Sequence, residues 1–107
     1  MKDKKYVVLK INEELEDASL KERASGNWKL KLETVEDAID LIVLHKQKII
    51  KEYVILSSFK SEEDGRIRFK LTEKNLSYFL GKNLDYTTSN PSTTLMESEI
   101  LKKIMFD

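Results

Sequence analysis

With one histidine, no cysteine and dense groups of acids only in two short runs, the chain offers few ways to do covalent chemistry. A Ser-His-Asp nucleophilic site would need His45 as its base, yet His45 ends a strand-like run beside the lysine-rich turn Lys46-Gln47-Lys48, where a surface side chain is expected. Paired carboxylates for acid-base work can be assembled from Glu13, Glu14, Glu16 and Asp17, or from Glu62, Glu63 and Asp64. Both runs are polar and lack the apolar surroundings that raise a carboxyl pKa, so they read as solvated surface and the chain as a non-enzyme. The missing cysteines remove thiol nucleophiles, zinc knuckles and iron–sulfur clusters, and a lone histidine removes multi-histidine metal sites. No metal or cofactor is expected. Gly26, Gly65 and Gly81 stand too far apart to form a phosphate-cradling loop.

Residues suited to binding are more informative. Trp28, the only tryptophan, follows the turn Ser25-Gly26-Asn27 and precedes Lys29. In that place it is either a core plug or the aromatic wall of a pocket, and its indole N–H needs a partner if buried; spacing alone favours the core. Arg66 and Arg68 fall on one face of a strand, able to grip phosphate or stack on a base, or to pair with Glu62 or Asp64. Nineteen basic residues balance nineteen acidic ones, which argues against a strong non-specific grip on nucleic acid and leaves room for a local patch. The basic groups are Lys2, Lys4 and Lys5; Lys46, Lys48 and Lys51; and Arg66, Arg68 and Lys70.

The elements that must position these residues follow from periodicity. Residues 4–12, rich in β-branched and aromatic types, predict a buried first strand. Leu15, Ala18, Leu20 and Ala24 predict a helix over 14–24 that Ser25-Gly26-Asn27 stops. Trp28, Leu30 and Leu32 alternate with charged residues, as in a half-buried strand, and Thr34 before Glu36 and Asp37 predicts a helical turn over 35–39. Residues 39–46 and 49–57 read as antiparallel hairpin strands, without the usual Asn-Gly turn. Residues 66–71 alternate strictly, with Ile67, Phe69 and Leu71 inward and both arginines outward, a third strand of a meander. A short helix from Thr72 or Glu73 through Leu80 is expected, closed by Gly81. Thr87 to Thr94 reads as a polar loop holding Pro91, the only proline. Thr94 can cap a last helix, while a strand over 92–96 remains open. The whole predicts an α+β fold, a mostly antiparallel, curved sheet flanked by short helices.

The order of several motifs adds to this. The succession GNWKL, LIVLHKQKIIKEYVI, GRIRFKL, YFLGKNL and the pair Asn90-Pro91 resembles a PUA-like domain, in particular the small PUA-like modules found alone or fused to nucleases in restriction and mobile-element proteins. The resemblance covers roughly residues 5–93; past Pro91, Ser92-Thr93-Thr94 departs from the basic and aromatic residues with which such modules tend to continue. It implies a β-barrel-like sheet that binds RNA, a modified DNA base or a nucleotide in a cleft. Trp28 would stack on a base, Asn27 and Asn90 would read its edge, and Arg66 with Lys29 would offset phosphate charge.

The competing expectation is a protein-interaction module, such as a phage or mobile-element accessory protein. Residues 1–94 would form the domain and 95–107 a helical tail packed on it or on a partner, with Leu95, Met96, Ile100, Leu101, Ile104, Met105 and Phe106 giving a homodimer or protein contact. No run approaches the 18 or so apolar residues of a membrane span, since Asp40 interrupts the most apolar stretch. The N-terminal residues lack the apolar core of a secretory signal. No membrane association and a cytoplasmic location are expected.

Overall fold

Tyr6-Val7-Val8-Leu9 and Leu41-Ile42-Val43-Leu44 run apolar without alternation because both faces of these strands are covered. The computed structural model describes residues 3–87 and 90–105. Lys2 of the first basic group, residues 88 and 89 of the expected polar loop, and Phe106 of the tail lie outside the described residues. The elements are β1 (Lys5–Ile11), α1 (Asp17–Ser25), α2 (Leu32–Val35), β2 (Asp40–His45), β3 (Lys48–Lys60), β4 (Ile67–Glu73), β5 (Asn83–Leu84), β6 (Ser92–Met96), α3 (Glu97–Lys103) and β7 (Ile104–Met105).

The strands form one sheet in the order β6-β1-β2-β3-β5-β7, with β4 also pairing β3. β1 and β2 run parallel, and every other pairing between named strands is antiparallel. The α+β class and the mostly antiparallel sheet agree with the sequence reading. The barrel does not: the strand order is open, because β6 and β7 end it without pairing each other.

Two cores sit on the two faces. On one, Val7, Leu9, Leu41, Val43, Tyr53, Ile67, Phe69 and Leu71 pack beneath Leu20 and Ala24 of α1, Trp28 and Val35. On the other, Tyr6, Val8, Ile42, Leu44 and Ile49 pack beneath Phe79, Leu84, Tyr86, Ile100 and Ile104. Each fully buried aliphatic side chain contributes about 1.5–3 kcal/mol, so sandwiching β1 and β2 makes them the rigid centre of the molecule.

Three local expectations fail, each because a specific contact outcompetes the pattern. Trp28 pairs its backbone with Ile67 as an isolated bridge, but Leu30 and Leu32 do not extend it: α2 begins at Leu32, where Leu30 and Leu32 pack half-buried against the core. Thr34 lies inside α2 rather than capping it, its hydroxyl donating to the Lys31 carbonyl. The helix expected over 72–80 is absent. β4 continues to Glu73, and the chain then crosses the second face as an irregular strap, because Lys74 and Ser77 turn inward to Asp40 and Glu52. In the tail both alternatives occur in succession: Thr94 pairs with Val7 in β6, and α3 follows.

Candidate nucleic-acid interface

Strict alternation in β4 buries Ile67, Phe69 and Leu71 and leaves Arg68 and Lys70 exposed. Opposite them on β3, Phe59 pairs with Arg68 and Ser57 with Lys70. A bulge between Ile55 and Ser57 shifts the register and turns Leu56 to solvent. Phe59 is 47% exposed. An exposed phenyl ring thus stands beside an exposed guanidinium on one ribbon, flanked by Lys60, Arg66 and Lys70.

The turn before Trp28 is built to hold that guanidinium. A Cβ at Gly26 would lie 2.9 Å from Cγ of Arg68, so only glycine lets the arginine stem lie across the turn. Arg68 then donates from Nη1 to Oδ1 of Asn27 at 3.3 Å. The next residue locks the arrangement: the Trp28 N–H donates to the Ile67 carbonyl and the Ile67 N–H to the Trp28 carbonyl, both at 2.9 Å. Gly26, Asn27 and Trp28 therefore run along the edge of β4 and fix the path of Arg68.

Trp28 itself is 3% exposed. Its indole N–H donates to the Ala24 carbonyl at 2.9 Å, and the Arg23 guanidinium lies 4.5 Å from the ring centroid. The indole plugs the core between α1 and β4 and presents almost no ring surface to a ligand. Lys29 and Arg66 are exposed close by, Arg66 donating its backbone N–H to Oδ1 of Asp64 at 2.9 Å. Asn27, Lys29 and Arg66 thus gather with Arg68 around the start of β4. Asn90 does not join them: its carbonyl accepts from the Tyr86 hydroxyl at 2.9 Å, ahead of β6, and β1, β2 and β3 intervene in the strand order.

Phe59 and Lys60 lie past Ser57, where the predicted strand run stops, so the sequence pattern does not select them. Their signal was an aromatic–lysine pair placed across the loop from the basic alternation of β4. Together with Ser61, Glu62, Glu63 and Arg68 they line an open cavity of about 470 Å3. The two loop acids there moderate the positive field.

A second polar cluster lies beneath the strap. Asp40 and Glu52, 4% and 3% exposed, share one face of β2 and β3, and Lys74 donates to both at 2.5 and 2.8 Å. The Ser77 hydroxyl donates to the other Glu52 oxygen. Burial, then hydrogen bonding with Asp40, pushes the Glu52 carboxyl up, against the opposing pull of Lys74 and Ser77. These polar atoms satisfy one another, which makes the cluster a clasp for the strap. From sequence Asp40 stands out only as the charge that interrupts the most apolar stretch and Glu52 not at all, although they are the only acids inside these two strand runs.

Among the described residues, no group of three or more metal-ligating side chains is placed to hold an ion, and no helix is long and apolar enough to cross a membrane. Compared with protein-family models, curated proteins and solved structures, the chain matches none.

Proposed function

We propose that the chain is a non-enzymatic binding module that takes a nucleic-acid strand, base by base, on the outer face of β3 and β4. One observation carries this reading: the exposed Phe59–Arg68 cross-strand pair, with Arg68 held by Gly26 and Asn27. A base stacks on the phenyl ring while Arg68, Lys70 and Arg66 meet the phosphates. Lys29 extends the positive rim. Stacking on an aromatic is worth about 1–3 kcal/mol per base, and three neutralised phosphates give a salt slope of about −2 for a single strand. The motif order that resembles PUA-like domains supports the same ligand class, with Phe59 in the stacking role instead of Trp28.

Fluorescence anisotropy with labelled single-stranded DNA and RNA octamers tests it. Phe59→Ala and Arg68→Ala should each weaken binding by about 5- to 150-fold, the range that 1–3 kcal/mol converts to, with circular dichroism unchanged. Gly26→Ala should act like Arg68→Ala, because the added methyl displaces the arginine stem. Wild-type affinity that neither Phe59→Ala nor Arg68→Ala alters would overturn the reading.

A second reading, contact with a protein or a second copy through the C-terminal segment, rests on how α3 is seated. Ile100 and Ile104 are buried against the domain, whereas Leu101 and Met105 are 48% and 40% exposed. Leu101 lines a cleft with the exposed Leu76 and Tyr78 of the strap. Sedimentation velocity decides it: a concentration-dependent dimer dissociated by Leu101→Glu supports this contact, and a monomer at every concentration excludes self-association.

A further inference from the structure

β1 and β2 are the only parallel pair in the described sheet, and beyond their carboxyl ends lies a cavity of about 370 Å3. Lys10, Asn12, His45, Lys46, Gln47 and Tyr86 line it. Beyond those ends β1 leads out toward α1, while β2 turns back at once into β3. The lining is rich in donors: two ammonium groups, an imidazole and two side-chain amides, with no carboxylate among the lining residues. Glu13 and Asp85 adjoin it in sequence without lining it. Tyr86 is a fixed wall, its hydroxyl donated to the Asn90 carbonyl and the Lys10 ammonium 5.9 Å from its ring centroid.

The hairpin at the rim supplies two of those donors. His45 pairs with Lys48, so Lys46 and Gln47 form a two-residue turn, and both are left-handed, with φ of 51° and 67°. Such turns favour Asn-Gly because side chains with a Cβ resist positive φ. Elsewhere in the described chain the positive-φ positions are glycine, Gly65 and Gly81. A two-residue turn of this kind demands positive φ at both positions, and here it brings Lys46 and Gln47 together at the rim of the cavity.

From this we infer that the cavity is a binding site for a small phosphate-bearing molecule. Lys46, Lys10 and His45 offset the phosphate charge, the Asn12 and Gln47 amides hydrogen-bond to it or to its attached hydroxyls, and Tyr86 backs the rest of the molecule. The site is separate from the nucleic-acid face: Lys48 opens β3 beside the cavity, and Lys60 closes it beside Arg68.

The test uses the full chain and the proton resonances of its single histidine. Titration with inorganic phosphate and with adenosine monophosphate should shift the His45 ring signals saturably, whereas adenosine should not. A monophosphate affinity at least fivefold above that of phosphate assigns a phosphate monoester; equal affinities assign phosphate itself. The double substitution Lys46→Asn with Gln47→Gly should raise the melting temperature and weaken phosphate binding at least tenfold, with octamer binding unchanged. Lys46→Glu, at an exposed position, should give the same loss without the stabilisation. His45 signals that do not move with phosphate or monophosphate, or a hairpin variant that binds them as the wild type does, would overturn the inference.

Discussion

Replacing Lys74 by methionine is expected to cost about 3 kcal/mol of stability at pH 7.5 and far less at pH 4.5. Asp40 and Glu52 are neighbours on one face of the sheet, since Ile42 stands opposite Glu52 and Asp40 lies two residues before it. Lys74 bridges the two carboxylates, and breaking a buried ion pair from one side costs about 3–5 kcal/mol because the remaining charge is left unpaired. Lys74 retains some exposure, 28% of its side chain, which places the expected cost at the lower end. Burial alone would lower the Lys74 ammonium, but its hydrogen bonds to Asp40 and Glu52 outweigh burial and raise it. Its own titration therefore removes the contribution only in strong alkali, while on the acid side the contribution shrinks as its partner Glu52 takes up a proton. Glu52 has the opposite role. Its carboxyl is raised from about 4.5, so the fold favours the protonated form: the contribution is complete below that value and lost as pH rises through the folded-state value. In the methionine variant only the Ser77 hydroxyl still serves the Glu52 carboxylate at neutral pH, whereas at pH 4.5 Glu52 takes up its proton and the penalty shrinks. Urea midpoints of wild type and variant at the two pH values give the difference directly. Equal losses at both would show that Lys74 acts through packing of its stem.

The same clasp shows why the strap was illegible. Leu76, Phe79 and Leu80 have helical spacing, yet only Phe79 is buried, and Leu76 and Leu80 are 87% and 53% exposed. Pattern predicts an element when burial follows it, and here two polar side chains, Lys74 and Ser77, set the path instead. Strands β1 to β4 were legible for the opposite reason: continuous or alternating apolar residues do become their buried faces. The binding face was half legible. Arg66 and Arg68 follow from alternation, and Gly26-Asn27-Trp28 stands out as a motif. The purpose of that motif depends on a contact between Asn27 and Arg68, 41 residues apart in the chain, which no local pattern reports. Trp28 admitted two readings in the sequence, and three-dimensional packing separates them.

Trp28→Ala should lower stability by about 3–5 kcal/mol, the cost of emptying a large aromatic site in a packed core. The indole belongs with Leu20, Ala24, Val35, Ile67 and Phe69 to the first-face core, where α1 meets β4. Trp28→Phe separates the polar part: it keeps most of the buried area and gives up the N–H bond to the Ala24 carbonyl, worth about 1 kcal/mol. The two variants should thus fall in that order by urea midpoint. In the wild type, a 3% exposed indole should emit at short wavelength and resist quenching by iodide, and an octamer bound at Phe59 should leave its spectrum nearly unchanged while anisotropy reports binding. These readouts are coupled through geometry. The backbone of Trp28 holds Ile67, the neighbour of Arg68, so loosening the plug also loosens the arginine, and Trp28→Ala should weaken octamer binding even in conditions where the variant stays folded. If instead Trp28→Ala keeps the wild-type midpoint while binding vanishes, the indole is no core plug, and direct stacking of a base on Trp28 becomes the reading that physics favours.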